Sequence, residues 1–311
     1  CHLCGNDSYR TVVSAIRAPA AVRSCTSSVA AYACTNRLPA GALQVIECVF
    51  CCLRTLYPAP PAQEVEQAYA AVEDREYVKI EPYRRIAFQK LLERLDQWRG
   101  PPGRLLDVGC YTGVFPCAAQ AAGWDAYGIE PSAWAAARAA EGLPGKIASG
   151  FLQSAPFESE SFDVVTSWDV IEHVTDPKGD LTRMARLLRP QGWLFLSTMK
   201  SDALLARLLG RKWPWYMDMH RFYFTPRTLG MLLEQTGFTV RAVEPYPHTT
   251  SLRYVFWKLE PSLKRLARIA LRTAEALGLA DRAIKVDLGD FFLVAAQRCS
   301  RASVGMRNTQ E

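Results

Sequence analysis

Cysteine residues crowd the start of this chain. Of the ten cysteines in its 311 residues, seven lie within the first 52. Four of these form two C-x-x-C pairs, Cys1 with Cys4 and Cys48 with Cys51. A C-x-x-C turn places two thiolates near one point, and two such turns complete a tetrahedral Cys₄ site for zinc. Because this ligand set leaves no open position, we expect the Zn²⁺ ion to be structural.

A second stretch with the potential for chemistry is RLLDVGCYTG, residues 104–113. It begins with an apolar run typical of a buried strand and leads into an alanine-rich helical segment. Glycine permits a tight turn, and a helix N-terminus offers free N–H groups. Tyr111 stands where a dinucleotide motif has the glycine that approaches a pyrophosphate, so the turn predicts a nucleoside ligand without one. The residues expected to border that ligand are Asp107, Gly109, Cys110 and Gly113.

An acidic residue ends the next apolar run, at 124–130. In nucleoside-binding sheets, an acid at the tip of the second strand accepts hydrogen bonds from the two ribose hydroxyls. A charged acceptor makes these bonds stronger than neutral ones. We therefore predict that Glu130 binds a ribose.

These features resemble the class I S-adenosylmethionine (SAM) methyltransferases. Asp107-x-Gly109-x-x-x-Gly113 is a degenerate form of their first motif, which usually has a further glycine at position 111. The most specific likeness is Phe-Asp-Val-Val at 162–165, followed by Asp-Val-Ile-Glu-His-Val at 169–174. The resemblance covers nearly the whole chain and implies that the ligand is SAM.

The resemblance also assigns individual residues. Phe151 stands where the family often has an adenine-binding Asp, so the backbone of Phe151 and Leu152 is expected to hold the adenine. Ser167, Trp168 and Asp169 follow a strand whose carboxyl end should face the methyl donor, with Trp168 as a wall for the sulfonium. In the family, helices that precede the sheet close over SAM, and the corresponding candidates for contacts to its methionine end are Tyr69, Tyr77 and Arg84.

The cysteine pairs fit the same family. Many bacterial methyltransferases of small molecules and surface sugars carry an N-terminal zinc ribbon ending in Cys-x-x-Cys-(Gly)-Leu-x-Tyr-x-x-Pro. Residues 48–58 are similar, with Cys52 at the position of the glycine. The resemblance therefore implies structural Zn²⁺ and a small-molecule or glycan acceptor. Cys25 and Cys34 lack a C-x-x-C partner and are expected to be buried thiols.

The order of apolar runs predicts an α/β, Rossmann-like fold: a seven-stranded, mostly parallel sheet with helices on both faces, plus a small N-terminal zinc ribbon. The predicted strands are 105–108, 124–130, 146–148, 161–168, 193–198, 237–243 and 287–296. The predicted domains are a zinc ribbon at 1–60, a helical linker or lid at 61–100, a SAM-binding domain at 101–299 with a helical insertion at 249–286, and a disordered tail at 300–311. Pro261 is expected to break the inserted helix.

Methyl transfer to an alcohol requires a base, and the chain has four histidines. An aromatic-rich segment at 213–224 follows the fifth strand, where the family binds its acceptor. His220 lies in this segment and is the first candidate for the base. His173 and Asp169, which follow the fourth strand, are the other two catalytic candidates. We therefore expect O-methylation of a small molecule or glycan by in-line transfer.

Three other functions share parts of this pattern. An RNA methyltransferase would use the zinc ribbon to grip nucleic acid, but residues 1–61 hold five Arg and no Lys, which disfavours nucleic acid as a partner. A nicotinamide oxidoreductase is disfavoured by Tyr111. A non-catalytic SAM-fold scaffold stays open. Basic and apolar residues alternate through 252–284, which also allows peripheral contact with an anionic membrane.

The bulk composition is that of a soluble globular protein, with 49% apolar residues, 22% charged residues and a net charge of +6. Because no run of 18 apolar residues occurs, we expect no membrane span and a cytoplasmic location. The sequence begins at Cys1 with neither Met nor a signal-peptide pattern, so we expect it to be trimmed. The sequence leaves the oligomeric state open.

Overall fold

The computed structural model describes residues 1–14, 32–33 and 44–299. Within them, helices α1 to α9 span Ala62–Ala70, Arg75–Val78, Glu81–Arg99, Val114–Ala121, Ala133–Gly142, Pro177–Leu187, Leu204–Leu209, Pro226–Gln235 and Leu252–Ala276. Strands β1 to β13 span Tyr9–Val13, Gln44–Cys48, Arg54–Tyr57, Arg104–Val108, Asp125–Glu130, Ile147–Ser149, Phe162–Trp168, Leu188–Met199, Phe222–Tyr223, Phe238–Pro245, His248–Ser251, Ala283–Val286 and Phe291–Arg298. Cys25, Cys34 and the predicted tail at 300–311 lie outside the described residues.

The main sheet has seven strands in the order β10-β13-β8-β7-β4-β5-β6. Strands β6, β5, β4, β7 and β8 run parallel to one another. Strand β13 runs antiparallel to both of its neighbours, β8 and β10. The predicted seven-stranded, mostly parallel α/β sheet is therefore confirmed. The order reverses between β4 and β7, and ligands of open α/β sheets bind at such a switch point, beyond the carboxyl ends of the strands.

Helices cover both faces of this sheet, so its central strands are apolar on both sides. Leu105 and Leu106 of β4 are both fully buried. Because neighbouring side chains of a strand point to opposite faces, Leu106 packs in one apolar cluster and Leu105 in a second one. Strand β4 therefore carries the glycine turn to the middle of the sheet edge.

A second, antiparallel sheet joins the N-terminal cysteine region to the rest of the chain. Its order is β1-β2-β3-β9, and β9 comes from the aromatic-rich segment 213–224. Thr55 of β3 pairs with Phe222 of β9. Leu53 and Phe222 also share one apolar cluster with Leu106 of the central strand. The cysteine region is thus packed against the main domain.

The insertion between β10 and β13 consists of α9 and the antiparallel pair of β11 and β12. Helix α9 runs without interruption from Leu252 to Ala276, so the prediction that Pro261 breaks it is wrong. Proline inside a helix removes one backbone hydrogen bond and crowds the carbonyl four residues before it, at a cost of about 3 kcal/mol. The helix continues beyond it because Ala267 and Ala274 bury the same side of its second half. Among the described helices, none is long and apolar enough to cross a membrane.

Candidate active site

The glycine turn leaves β4 with three residues in the left-handed backbone region. Gly109 has φ +73°, Tyr111 +49° and Gly113 +81°. A Cβ on Gly109 would lie 2.6 Å from Cγ2 of Val170, and one on Gly113 would lie 2.9 Å from Cα of Ala139. Both glycines are therefore required by sterics as well as by backbone conformation. Tyr111 adopts the same left-handed backbone conformation although it carries a side chain. Its ring packs against that of Tyr77, with the ring centroids 4.4 Å apart.

Glu130 lies at the tip of β5, directly beside this turn. Its Oε2 accepts the backbone N–H of Tyr111 at 2.9 Å, and its Oε1 accepts the N–H of Ser132 at 2.8 Å. Each oxygen keeps a second lone pair, so the carboxylate can also accept a diol. The carboxyl is buried, which raises its pKa to about 7. Two backbone N–H groups thus fix the orientation of the Glu130 carboxylate.

Asp107 is the second buried acid of this edge. Its Oδ1 accepts the hydroxyl of Thr166 at 2.6 Å. Burial raises the pKa of its carboxyl to about 8, and the nearby charge of Glu130 acts in the same direction. Two carboxyl groups in one low-dielectric space disfavour the ionisation of each other. A ligand that donates hydrogen bonds or carries positive charge relieves this conflict.

A cavity of about 510 Å³ opens beyond the sheet edge. This volume lies within the usual range for small-molecule sites. Its lining includes most residues predicted to bind the donor, namely Asp107, Gly109, Cys110, Glu130, Phe151, Leu152 and Trp168. Two residues predicted to bind the donor, Gly113 and Ser167, are not among the described residues that line this cavity. Gly113 instead shapes the turn, and Ser167 is buried within β7.

Helices α1 to α3, which precede the main sheet in the chain, contribute one wall of the cavity. Tyr69, Tyr77 and Arg84 all line it. The guanidinium of Arg84 lies 3.7 Å from the Asp169 carboxylate and over the ring of Phe88. Its buried Nε has no hydrogen-bond partner in the structure. Arg84 therefore retains a donor that can bind a carboxylate such as that of an amino acid.

The structure brings His173 and His220 together and adds Glu172 to them. The two imidazole rings meet edge to face with centroids 4.7 Å apart. Burial lowers the pKa of His173 to about 4 and that of His220 well below its usual value. Burial, and next the charge of Asp169, raise the pKa of Glu172. Near neutral pH, both rings are therefore uncharged.

Asp169 lies in the same cavity but has other partners. It accepts the Ser197 hydroxyl at 2.6 Å in addition to its ion pair with Arg84. Its left-handed backbone, with φ +56°, directs the chain out of β7. Asp169 is thus engaged by Ser197 and Arg84. Glu172 was missed at the sequence level, although it stands beside His173 in the Asp-Val-Ile-Glu-His-Val motif.

The four predicted zinc ligands also converge. The sulfur atoms of Cys1, Cys4, Cys48 and Cys51 all lie within 4.8 Å of one another. The closest pairs are 3.4 Å apart for Cys1 and Cys51 and 3.5 Å apart for Cys4 and Cys48. A tetrahedral ion with bonds of about 2.3 Å holds its sulfurs about 3.8 Å apart. The cluster fits such an ion with small adjustments.

Comparison with known proteins agrees with this geometry. A family model described as a methyltransferase domain matches residues 79–243, which is more than half of the chain. The ubiquinone biosynthesis O-methyltransferase of Thiobacillus denitrificans is 37% identical over 106 residues, covering 32% of this chain and 46% of that protein. Its Bordetella avium counterpart is 28% identical over 163 residues, covering 47% and 67%. The chain thus spans about half to two thirds of the length of these curated relatives.

Solved structures show the same fold. The complex of the Haloferax volcanii Trm112 methyltransferase activator with a methyltransferase matches 71% of this chain and 93% of the matched chain, with a TM-score of 0.50 and 14% identity. At this identity the likeness concerns the fold alone. The family match shows that this chain belongs to the methyltransferase-domain family and is a class I SAM-dependent methyltransferase, and the switch-point cavity with its buried acid fits this family.

Proposed function

We propose that this enzyme methylates a hydroxyl oxygen of a small aromatic molecule. The observation that carries the proposal is the group of Glu172, His173 and His220, which lines the same cavity as the donor-binding residues. The curated relatives are named as O-methyltransferases, which supports an oxygen acceptor. Trp215, Met217 and Met219 also line the cavity, and such apolar side chains suit a flat ring.

The donor side follows from the contacts of the cavity edge. SAM supplies a methyl group that its positive sulfur has already activated. Glu130 would accept the ribose hydroxyls, and Arg84 would bind the methionine carboxylate through its unpartnered Nε. Asp107, next to the turn, would face the positive end of the donor. Trp168 lines the same cavity, and an aromatic ring near the sulfonium would favour its positive charge.

The acceptor side follows from the histidine pair. Nδ1 of His220 lies 2.7 Å from the Trp215 carbonyl, and Nδ1 of His173 lies 3.2 Å from the Met219 carbonyl. A carbonyl only accepts, so Nδ1 of His220 carries the proton and its Nε2 keeps the lone pair. Nδ1 of His173 also lies 2.8 Å from the Tyr69 hydroxyl, which can donate or accept. As the acceptor oxygen forms its bond to carbon, the carbon–sulfur bond breaks and its electron pair stays on sulfur. The hydroxyl proton passes to the histidine pair.

We further propose that Cys1, Cys4, Cys48 and Cys51 hold a structural Zn²⁺ ion. Thiolates prefer zinc, and a Cys₄ set leaves no position for a substrate. The ion would tie the N-terminus to the end of β2. Its contribution is to the fold of this region rather than to the chemistry.

The test measures methyl transfer from isotopically labelled SAM to a panel of acceptors. We expect turnover with a compound that carries neighbouring aromatic hydroxyls and none with its fully methylated ether. His220→Ala should lower turnover by about 10²–10⁴-fold, the usual contribution of a positioned proton acceptor. The affinity for the product S-adenosylhomocysteine should be unchanged, because His220 belongs to the acceptor side.

Labelled product that contains methylated nitrogen or carbon would contradict O-methylation. Unchanged turnover in His220→Ala would contradict its role. A parallel panel of monosaccharides separates an aromatic acceptor from a glycan.

A further inference from the structure

Three side chains of the active-site cavity have the composition of a metal site. Glu172 is 1% exposed and His220 is 5% exposed, and the side chain of His173 is 16% exposed. We propose that these three residues bind a divalent first-row transition metal ion, at a second site distinct from the four cysteines. Two imidazoles and one carboxylate form a ligand set that such ions favour, with further positions open to a substrate.

The distances allow one ion to reach all three residues. One ligand atom from each lies within 4.8 Å of the others, and Nε2 of His173 lies 4.0 Å from Oε1 of Glu172. Atoms bound about 2.1 Å from one tetrahedral ion lie about 3.4 Å apart. Binding therefore requires the pair at 4.0 Å to approach by roughly 0.6 Å, and a pair at 4.8 Å by up to about 1.4 Å.

The groups behind the three ligands are already arranged as they are around bound metals. A metal-binding histidine usually donates its other ring N–H to a carbonyl or carboxylate, which fixes the ring and its tautomer. Nδ1 of His220 lies 2.7 Å from the Trp215 carbonyl. Nδ1 of His173 lies 2.8 Å from the Tyr69 hydroxyl and 3.2 Å from the Met219 carbonyl, and either oxygen can accept its proton. Oε2 of Glu172 accepts the hydroxyl of Thr198 at 2.9 Å. The outer atom of each ligand is thus engaged.

The position of the three ligands would allow the ion to bind the acceptor hydroxyl. The three residues line the cavity that also contains the donor-binding residues, so the open positions of the ion face the acceptor. With the ion bound, the Nε2 lone pairs of both histidines would be occupied. A hydroxyl bound to the ion would then lose its proton to water instead of to the histidine pair, because a cation lowers the pKa of a coordinated oxygen. This consequence rests on the proposed O-methylation, whereas the binding of the ion does not.

The test uses Mn²⁺, which prefers nitrogen and oxygen ligands over the thiolates of the cysteine cluster. Full-length, zinc-replete protein is titrated with Mn²⁺, and binding is followed by electron paramagnetic resonance. We expect one saturable Mn²⁺ per chain. Glu172→Gln and His220→Gln should each weaken binding by at least about tenfold. The matched control is His248→Gln, which alters a third histidine of the same cavity wall and should leave Mn²⁺ binding unchanged.

S-adenosylhomocysteine binding in each variant shows that it is folded. No saturable Mn²⁺ binding to the wild type overturns the proposal without reference to any variant. Equal binding by the wild type and His220→Gln also overturns it. Mn²⁺ binding without methyl transfer to any hydroxyl would leave the metal site standing and refute the proposed function. Methyl transfer that persists in a chelator, with no Mn²⁺ binding, would do the reverse.

Discussion

Glu130 offers the sharpest test of the donor site. Its carboxylate is held by the N–H groups of Tyr111 and Ser132, at 2.9 and 2.8 Å, and has two lone pairs left for the ribose. In Glu130→Gln, one oxygen becomes an NH₂ group that faces a backbone N–H and can no longer accept a ribose hydroxyl. The variant loses one charged hydrogen bond and weakens a second. A hydrogen bond to a charged group contributes about 1.5–3 kcal/mol, so the total loss of binding free energy, with the weakened second bond included, is about 3 kcal/mol.

This loss corresponds to a roughly 100-fold weaker affinity. The assay is calorimetric titration of S-adenosylhomocysteine, which occupies the donor site without reacting. Glu141→Gln is the matched control, because Glu141 is an exposed acid at the end of α5. Affinity of Glu130→Gln within threefold of the wild type, in a folded protein, would refute the assignment of Glu130 to the ribose.

The same residue predicts a pH dependence. Burial raises the pKa of Glu130 to about 7, and ribose hydroxyls bind the ionised form. Protonation therefore competes with the ligand, so affinity falls as the pH decreases through this value. For simple competition, the dissociation constant rises roughly eightfold between pH 7.5 and pH 6. Glu130→Gln should lose this component of the slope, while any component due to Asp107 remains.

Three further predictions concern stability, metal and membrane. Gly109→Ala should lower the free energy of unfolding in urea by about 2–5 kcal/mol. The control is Gly145→Ala, because Gly145 has the same φ of +73° but a Cβ there would meet no atom within 4 Å, and its loss should be only about 1–2 kcal/mol. Equal losses in the two variants would contradict the steric argument. Cys4→Ser should lose bound zinc by elemental analysis and Cys52→Ser should retain it, and zinc retained in both would refute the assigned ligands. The protein should bind anionic but not neutral vesicles through α9, on which Leu266 is 67% exposed. Leu266→Asp should abolish this binding. Negligible binding of the wild type to both kinds of vesicle would refute a membrane contact.

Local patterns were sufficient for much of the fold. Thr225 followed by Pro226 is a typical helix start, and the structure shows a capping box at this position. The strand-turn-helix at 104–121 and the acid at 130 could be read because each depends on residues close in sequence. The same reasoning failed at Pro261, where a local preference was outweighed by burial of the helix face farther along.

What the sequence did not reveal depends on pairings between distant segments. Glu172 is adjacent to His173 in sequence, yet its role appears only when the loop with His220 folds onto it. The ion pair between Arg84 and Asp169 joins a helix before the sheet to the end of its fourth strand. No local periodicity encodes such a meeting, because many registers would satisfy the apolar pattern of each segment equally well.

The cysteine region and the acceptor loop are linked by one such pairing. Strand β2 ends at Cys48 and pairs with β3, and β3 pairs with β9, which begins two residues after His220. The carbonyl of Glu172 accepts the N–H groups of both Arg221 and Phe222, at 2.8 and 3.2 Å. A shift of β9 would therefore move His220 relative to Glu172. Because Glu130 and the glycine turn lie on the other side of this connection, loss of the N-terminal metal should disturb the acceptor site before the donor site.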